Sequence, residues 1–169
     1  TWATAYTLCL AIKQLEYDLV FCGKQAIDGD TAQVGPMLAE NLGIAQISFV
    51  KKVEIDTNSR KIVAHRETED GHEVVEGRLP VLLTAIKGLN EPRLPSLMGI
   101  MSAGKKELKT VTATDLGVTS EQIGLKGSYT EVVQVFTPEP RQKGVVLTEA
   151  DPEKAAQRIL EFLKSQTII

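Results

Sequence analysis

Short apolar runs alternate with polar turns along this chain, and the period of each run predicts an element. Residues 2–15 carry helical periodicity, through Leu8, Leu10, Ala11 and Ile12, with Thr1 placed to cap the helix. Leu19-Val20-Phe21-Cys22 is continuously apolar and reads as a buried parallel strand. Met37 to Leu42 predicts a helix that closes on Gly43. From Ile44 to Ile55, β-branched residues stand at 47, 50, 53 and 55, and the turn Asp56-Thr57-Asn58-Ser59 follows. Lys61 to Arg66 alternates, and Asp70-Gly71 marks a second turn before Val74-Val75. Together these predict a partly exposed antiparallel meander. Pro80 to Ala85 reads as a buried strand, Leu108 to Val111 as another, and Thr130 to Phe136 as a last strand-like piece. Asp151-Pro152 opens an amphipathic helix, with Glu153 in its first turn and Ala156, Ile159, Leu160 and Leu163 on one face.

The pattern is that of an α/β protein: a parallel sheet with helices, an antiparallel meander, and an extended C-terminal arm ending in a helix. The 169 residues suffice for a sizeable core. A net charge of −3 argues against nucleic acid as the main partner, since phosphate contacts need a basic surface. No apolar run approaches the roughly 18 residues of a membrane span, and no secretory signal is visible. Cys9 falls in a helical pattern and Cys22 at a strand end, so both read as reduced thiols in a cytoplasmic setting. His65 and His72 lie near the ends of the predicted hairpin, far from metal-ligand spacing, and read as solvated or structural. No nucleophile–base constellation is apparent. Residue 1 is not a methionine and the first residues are already helical, as expected of a domain without its first strands.

One loop carries candidate chemistry. Gly23-Lys24-Gln25-Ala26-Ile27-Asp28-Gly29-Asp30-Thr31-Ala32-Gln33-Val34-Gly35-Pro36 joins a predicted strand to a predicted helix. At such a junction backbone N–H groups and the positive end of the helix dipole converge on any phosphate or carboxylate. The glycines at 23 and 29 allow close approach to the main chain. The loop has neither the dinucleotide-binding glycine spacing nor a P-loop, because Gln25 follows Gly23-Lys24. Asp28 and Asp30 repel phosphate and suit a turn, a cap or a ribose hydroxyl. A plain Asp-Gly-Asp turn without ligand stands as the competing reading.

Two further segments look outward. Between Pro92 and Pro95 lies an extended loop, and Ser96 then caps a short helix carrying Leu97, Ile100 and Met101. Two internal glycines, each costing about 1 kcal/mol against alanine, and a leucine–methionine face suit an adaptable contact surface. It is either a short core helix or an anchor for a protein partner. Beyond Asp115-Leu116-Gly117 the chain runs to about residue 150 with little predicted structure, which is uncommon inside a compact domain. This arm and its helix read as wrapping a second subunit. The expected division is a nucleotide-binding α/β domain over 1–112 and an arm with helix over 113–169.

The chain resembles the C-terminal two-thirds of the electron transfer flavoprotein β subunit. Three segments carry the likeness: Gly23 through Gln33, Leu89-Asn90-Glu91-Pro92-Arg93 with Leu97-Met98-Gly99-Ile100-Met101, and Thr114-Asp115-Leu116-Gly117 with the arm and terminal helix. The resemblance implies a fold like the adenine-nucleotide α-hydrolases and a heterodimer with an α subunit that carries its own FAD. It implies electron exchange with flavoproteins such as acyl-CoA dehydrogenases. The β site of the family holds AMP in simple carriers and a second FAD, fed by NADH, in electron-bifurcating members. The form Asp28-Gly29-Asp30-Thr31-Ala32-Gln33 is similar to the bifurcating branch, which favours FAD over AMP. By position, the resemblance assigns Thr1, Thr4 and Gly23, Lys24, Gln25, Ala26, Ile27, Asp28, Gly29, Asp30, Thr31, Ala32, Gln33 and Val34 to the cofactor. It assigns Arg93, Leu97, Met98, Ile100 and Met101 to the partner, with Leu97 inserted into a dehydrogenase pocket. A nucleotide sensor of the same fold, passing no electrons, is the alternative, and a structural subunit with an empty site is a third reading.

Overall fold

In the computed structural model, helix α1 spans Trp2–Ile12 and strand β1 Leu19–Gly23. Helix α2 covers Val34–Leu42, followed by β2 (Ala45–Asp56), β3 (Lys61–Thr68), β4 (Gly71–Arg78) and β5 (Val81–Ala85). Short α3 is Leu97–Ala103 and α4 is Pro152–Ser165. The structure describes residues 1–140, 144, 146 and 148–168. Parts of the predicted arm at 141–143, 145, 147 and 169 lie outside the described residues.

The strands form one sheet in the order β1-β5-β2-β3-β4. β5 lies between β1 and β2 and runs parallel to both, with Cys22 opposite Thr84 and Ile47 opposite Leu83. β2, β3 and β4 form the antiparallel meander that the alternating pattern predicts. β5 is buried from Val81 to Thr84, as its continuous apolar run requires. Its side chains alternate between two cores. Leu82 packs with Ala5, Cys9, Leu38 and Ala39 of α1 and α2. Val81 and Leu83 face the other side, with Ile47, Val50, Ile62 and Ala64.

Several boundaries move for local reasons. α1 ends at Ile12, three residues short of the predicted helix, and its Thr1 N-cap makes no side-chain cap bond. α2 begins at Val34, three residues before the apolar run, because Gly35 and Pro36 fit a first turn. It ends as predicted on Gly43, left-handed at φ 71°. β1 is an edge strand and only half buried: Phe21 is 51% exposed, so an apolar run here does not mean a buried strand. Residues 108–111 and 130–136 form no strand. Leu108 is 91% exposed, and β-propensity without a neighbouring strand makes no ladder.

The chain divides into two compact units, Thr1–Glu131 and Val132–Ile169. Residues 113–131, read from sequence as part of an arm, return to the α1 region within the first unit. The Tyr129 ring lies 5.9 Å from that of Trp2, and the Gln14 side chain donates to the Asp115 carbonyl at 3.3 Å. In the second unit Asp151 caps α4 by accepting the Glu153 N–H at 3.0 Å, with Pro152 at the first helical position. No residue of α4 is buried.

Candidate functional site

The loop between β1 and α2 walls a cleft of about 640 Å³, beyond the C-terminal end of the parallel strands. Thr1 and Thr4 from the start of α1 close its other side. Every residue assigned to a cofactor contributes to the lining except Ile27, which is fully exposed and takes no part. Cys22 and Gly35 join the lining without having been assigned.

The backbone gives this loop a geometry suited to an anion. Asp30 and Ala32 stand at positive φ, 50° and 53°, and Gln33 returns to right-handed geometry. Left- and right-handed residues in succession turn neighbouring N–H groups to one side, forming a concavity for negative charge. Gln33 gives α2 no side-chain cap, so the first N–H groups of the helix keep their donor capacity. Gln25 donates to the Asp30 carboxylate, which ties one of the two acids to its own loop. Lys24 is the one cation among the described residues lining the cleft.

The glycines separate into two kinds. A Cβ at Gly23 or Gly29 would meet nothing within 4 Å, so the fold does not demand glycine at either place. A Cβ at Gly35 would stand 2.6 Å from the Thr84 methyl, and only glycine lets α2 pack this closely on β5. Sequence reading found the first two and missed Gly35 as a packing residue, though it stands beside Pro36 at a helix start. It missed Thr84 as well, which looked like one more position in a buried strand. Burial pushes the Cys22 thiol above its ordinary range. A protonated thiol is a poor nucleophile, so Cys22 serves as cleft wall.

The residues assigned to a partner lie elsewhere. Leu97, Met98, Ile100 and Met101 are 58–73% exposed on α3, and Arg93 is exposed in the loop before it. The Ser96 hydroxyl accepts the Gly99 N–H at 3.1 Å and caps the helix as predicted. α3 buries no residue, which removes the core-helix reading. His65 and His72 sit on β3 and β4 with Lys51, Lys52 and Arg66 around a surface recess. Among the described residues no group of three His, Cys, Asp or Glu is placed to hold a metal ion.

A strand–loop–helix cleft on a partly parallel α/β sheet defines a class of small-ligand-binding domains rather than one protein. Comparison with known proteins is more specific. Residues 1–116 match the family model of the electron transfer flavoprotein domain. The chain is 51% identical, over its whole length, to the electron transfer flavoprotein subunit beta of Thermoanaerobacterium thermosaccharolyticum. It is 51% identical to that of Clostridium acetobutylicum, again over its whole length. It is 40% identical to the caffeyl-CoA reductase-Etf complex subunit CarD of Acetobacterium woodii. In each case the chain spans 64% of the relative's length. The chain belongs to the electron transfer flavoprotein family.

Proposed function

We propose that this chain is the nucleotide-holding part of an electron transfer flavoprotein β subunit, with FAD in the cleft of the 23–35 loop and AMP as the alternative occupant. The observation that carries this reading is the pair Gly23 and Gly29, glycines that open on the cleft and that the fold does not require. Their use is to admit a ligand to the main chain. The N–H groups from Thr31 to Gly35 suit the phosphates, and Thr1 and Thr4 supply hydroxyls from the facing helix. A bound flavin supplies the redox chemistry, and the chain supplies position and polarity.

In this reading a second FAD sits on an α subunit, to which the arm and helix of 113–169 attach. Electrons pass between NADH or a dehydrogenase and flavoproteins of the acyl-CoA dehydrogenase type, with bifurcation, in the cytoplasm. α3 presents Leu97 to the electron-transfer partner. The 51% identity to two β subunits and the 40% identity to CarD support it. No described helix is long and apolar enough to cross a membrane. The test is to co-purify the protein with its α-type subunit and identify the released nucleotides by absorbance and mass. Two FAD per heterodimer is the expected result, and one FAD with one AMP selects the simple carrier. No nucleotide on this subunit overturns the proposal.

A further inference from the structure

Thr84 stands where the elements that shape the cleft meet. It is the one fully buried polar side chain among the described residues, at 1% exposure, and it pairs with Cys22 across β1 and β5. Its two branches act on different neighbours. The methyl fills the space beside Gly35 in the first turn of α2. The hydroxyl oxygen accepts the Phe49 N–H at 2.9 Å.

Phe49 is the unusual residue. It stands at φ 61°, left-handed, where the register of β2 against β5 shifts between Ile47 and Val50. A bulky side chain is disfavoured there by crowding between its Cβ and the backbone. An irregularity of this kind beside a site typically re-aims a side chain. What it aims is a ring: the Lys24 ammonium lies over Phe49, 5.3 Å from the centroid. Glu67 and Glu69 line the same recess; Glu67 is held chiefly by Lys51 at 2.5 Å, and the attraction of the Lys24 ammonium for it is the weaker one.

We propose that Phe49, held in its left-handed conformation by Thr84, is a positioning residue that places Lys24 at the mouth of the cleft to meet the phosphate of a bound nucleotide. The inference rests on the nucleotide reading of that cleft. An exposed lysine samples many rotamers, and the face of an aromatic ring narrows them before a ligand arrives. Less ordering then remains to be lost on binding.

The test is calorimetric titration of the protein, purified with its subunit partner and stripped of nucleotide, with AMP and with adenosine as the phosphate-free control. Phe49→Leu leaves the backbone equally crowded and removes the ring. Thr84→Val keeps a methyl against Gly35, removes the acceptor, and serves if Phe49→Leu does not fold. Each variant is expected to weaken AMP about threefold, to leave adenosine unmoved, and to have no further effect in a Lys24→Met background. Phe49→Tyr restores wild-type affinity. Without any ligand, the side-chain NMR signals of Lys24 carry an upfield ring shift that both variants abolish. Equal losses for AMP and adenosine, an undiminished loss in the Lys24→Met background, or no ring shift in the wild type overturns this inference alone. A wild-type protein that binds neither AMP nor FAD overturns the nucleotide reading and this inference with it.

Discussion

At the scale of single residues, two glycines, one in the loop and one in the first turn of α2, give opposite predictions. Gly35→Ala forces a Cβ to 2.6 Å from the Thr84 methyl at the buried contact of α2 with the sheet. It should destabilise the protein by about 1–3 kcal/mol, read as a lower urea midpoint with unchanged slope. Gly29→Ala meets no atom within 4 Å and needs no left-handed backbone. It should leave stability unchanged or raise it by about 0.4–1 kcal/mol, and yet lower the nucleotide content of the purified protein. If Gly29→Ala retains its nucleotide in full, that glycine does not serve a ligand. The two look alike in the sequence, because a string of letters does not say what lies beyond the absent Cβ.

At the scale of elements, α3 owes nothing to a core. It is seven residues long, buries none of them, and is capped through the Ser96 hydroxyl. Ser96→Ala should cost the helix about 1 kcal/mol, seen as faster amide exchange over 97–103. Leu97→Ala should leave the helix and the nucleotide content intact and slow electron transfer to the partner flavoprotein. Lost nucleotide with unchanged transfer would reverse that assignment. Ser96, Gly43, Asp151 and Pro152 made their helix ends legible, because capping is local chemistry. The meander was legible for a similar reason: Lys61 to Arg66 alternates, and its turns carry Asp56, Asn58, Asp70 and Gly71. Phe21 and Leu108 show where local reasoning stops. Whether an apolar run is buried, or is a strand at all, depends on a neighbour that the run does not name. The Phe49 bulge escaped for the same reason, since its cause is a hydroxyl 35 residues further along the chain.

At the scale of the molecule, the first unit holds the sheet and the cleft, and none of the described residues of the second is buried. α4 has 14 residues, about the length at which a helix is marginal in water without packing. Ile159, Leu160 and Phe162 stay 38–50% exposed. The amide protons of α4 should therefore exchange quickly in this subunit alone and become protected when the α-type subunit is added. Ile159→Asp should abolish the protection and the co-sedimentation together. Protection already complete without a partner would show that α4 is self-sufficient.

The change of strand direction within the sheet has a practical consequence. β2 lies beside β5 through Val50 and then continues with β3 and β4 as an antiparallel ribbon. Asn58 and Asp70 are exposed at the ribbon's turns, and neither lines the cleft. The ribbon is a ready-made handle. A fluorophore, an affinity tag or a surface tether attached at Asn58 is carried by a stiff strand pair and leaves the 23–35 loop untouched, whereas the turn at Asp70 adjoins the recess that Glu69 shares with Lys24. Labelled there, the protein can be weighed, immobilised or followed through assembly without disturbing the site under study.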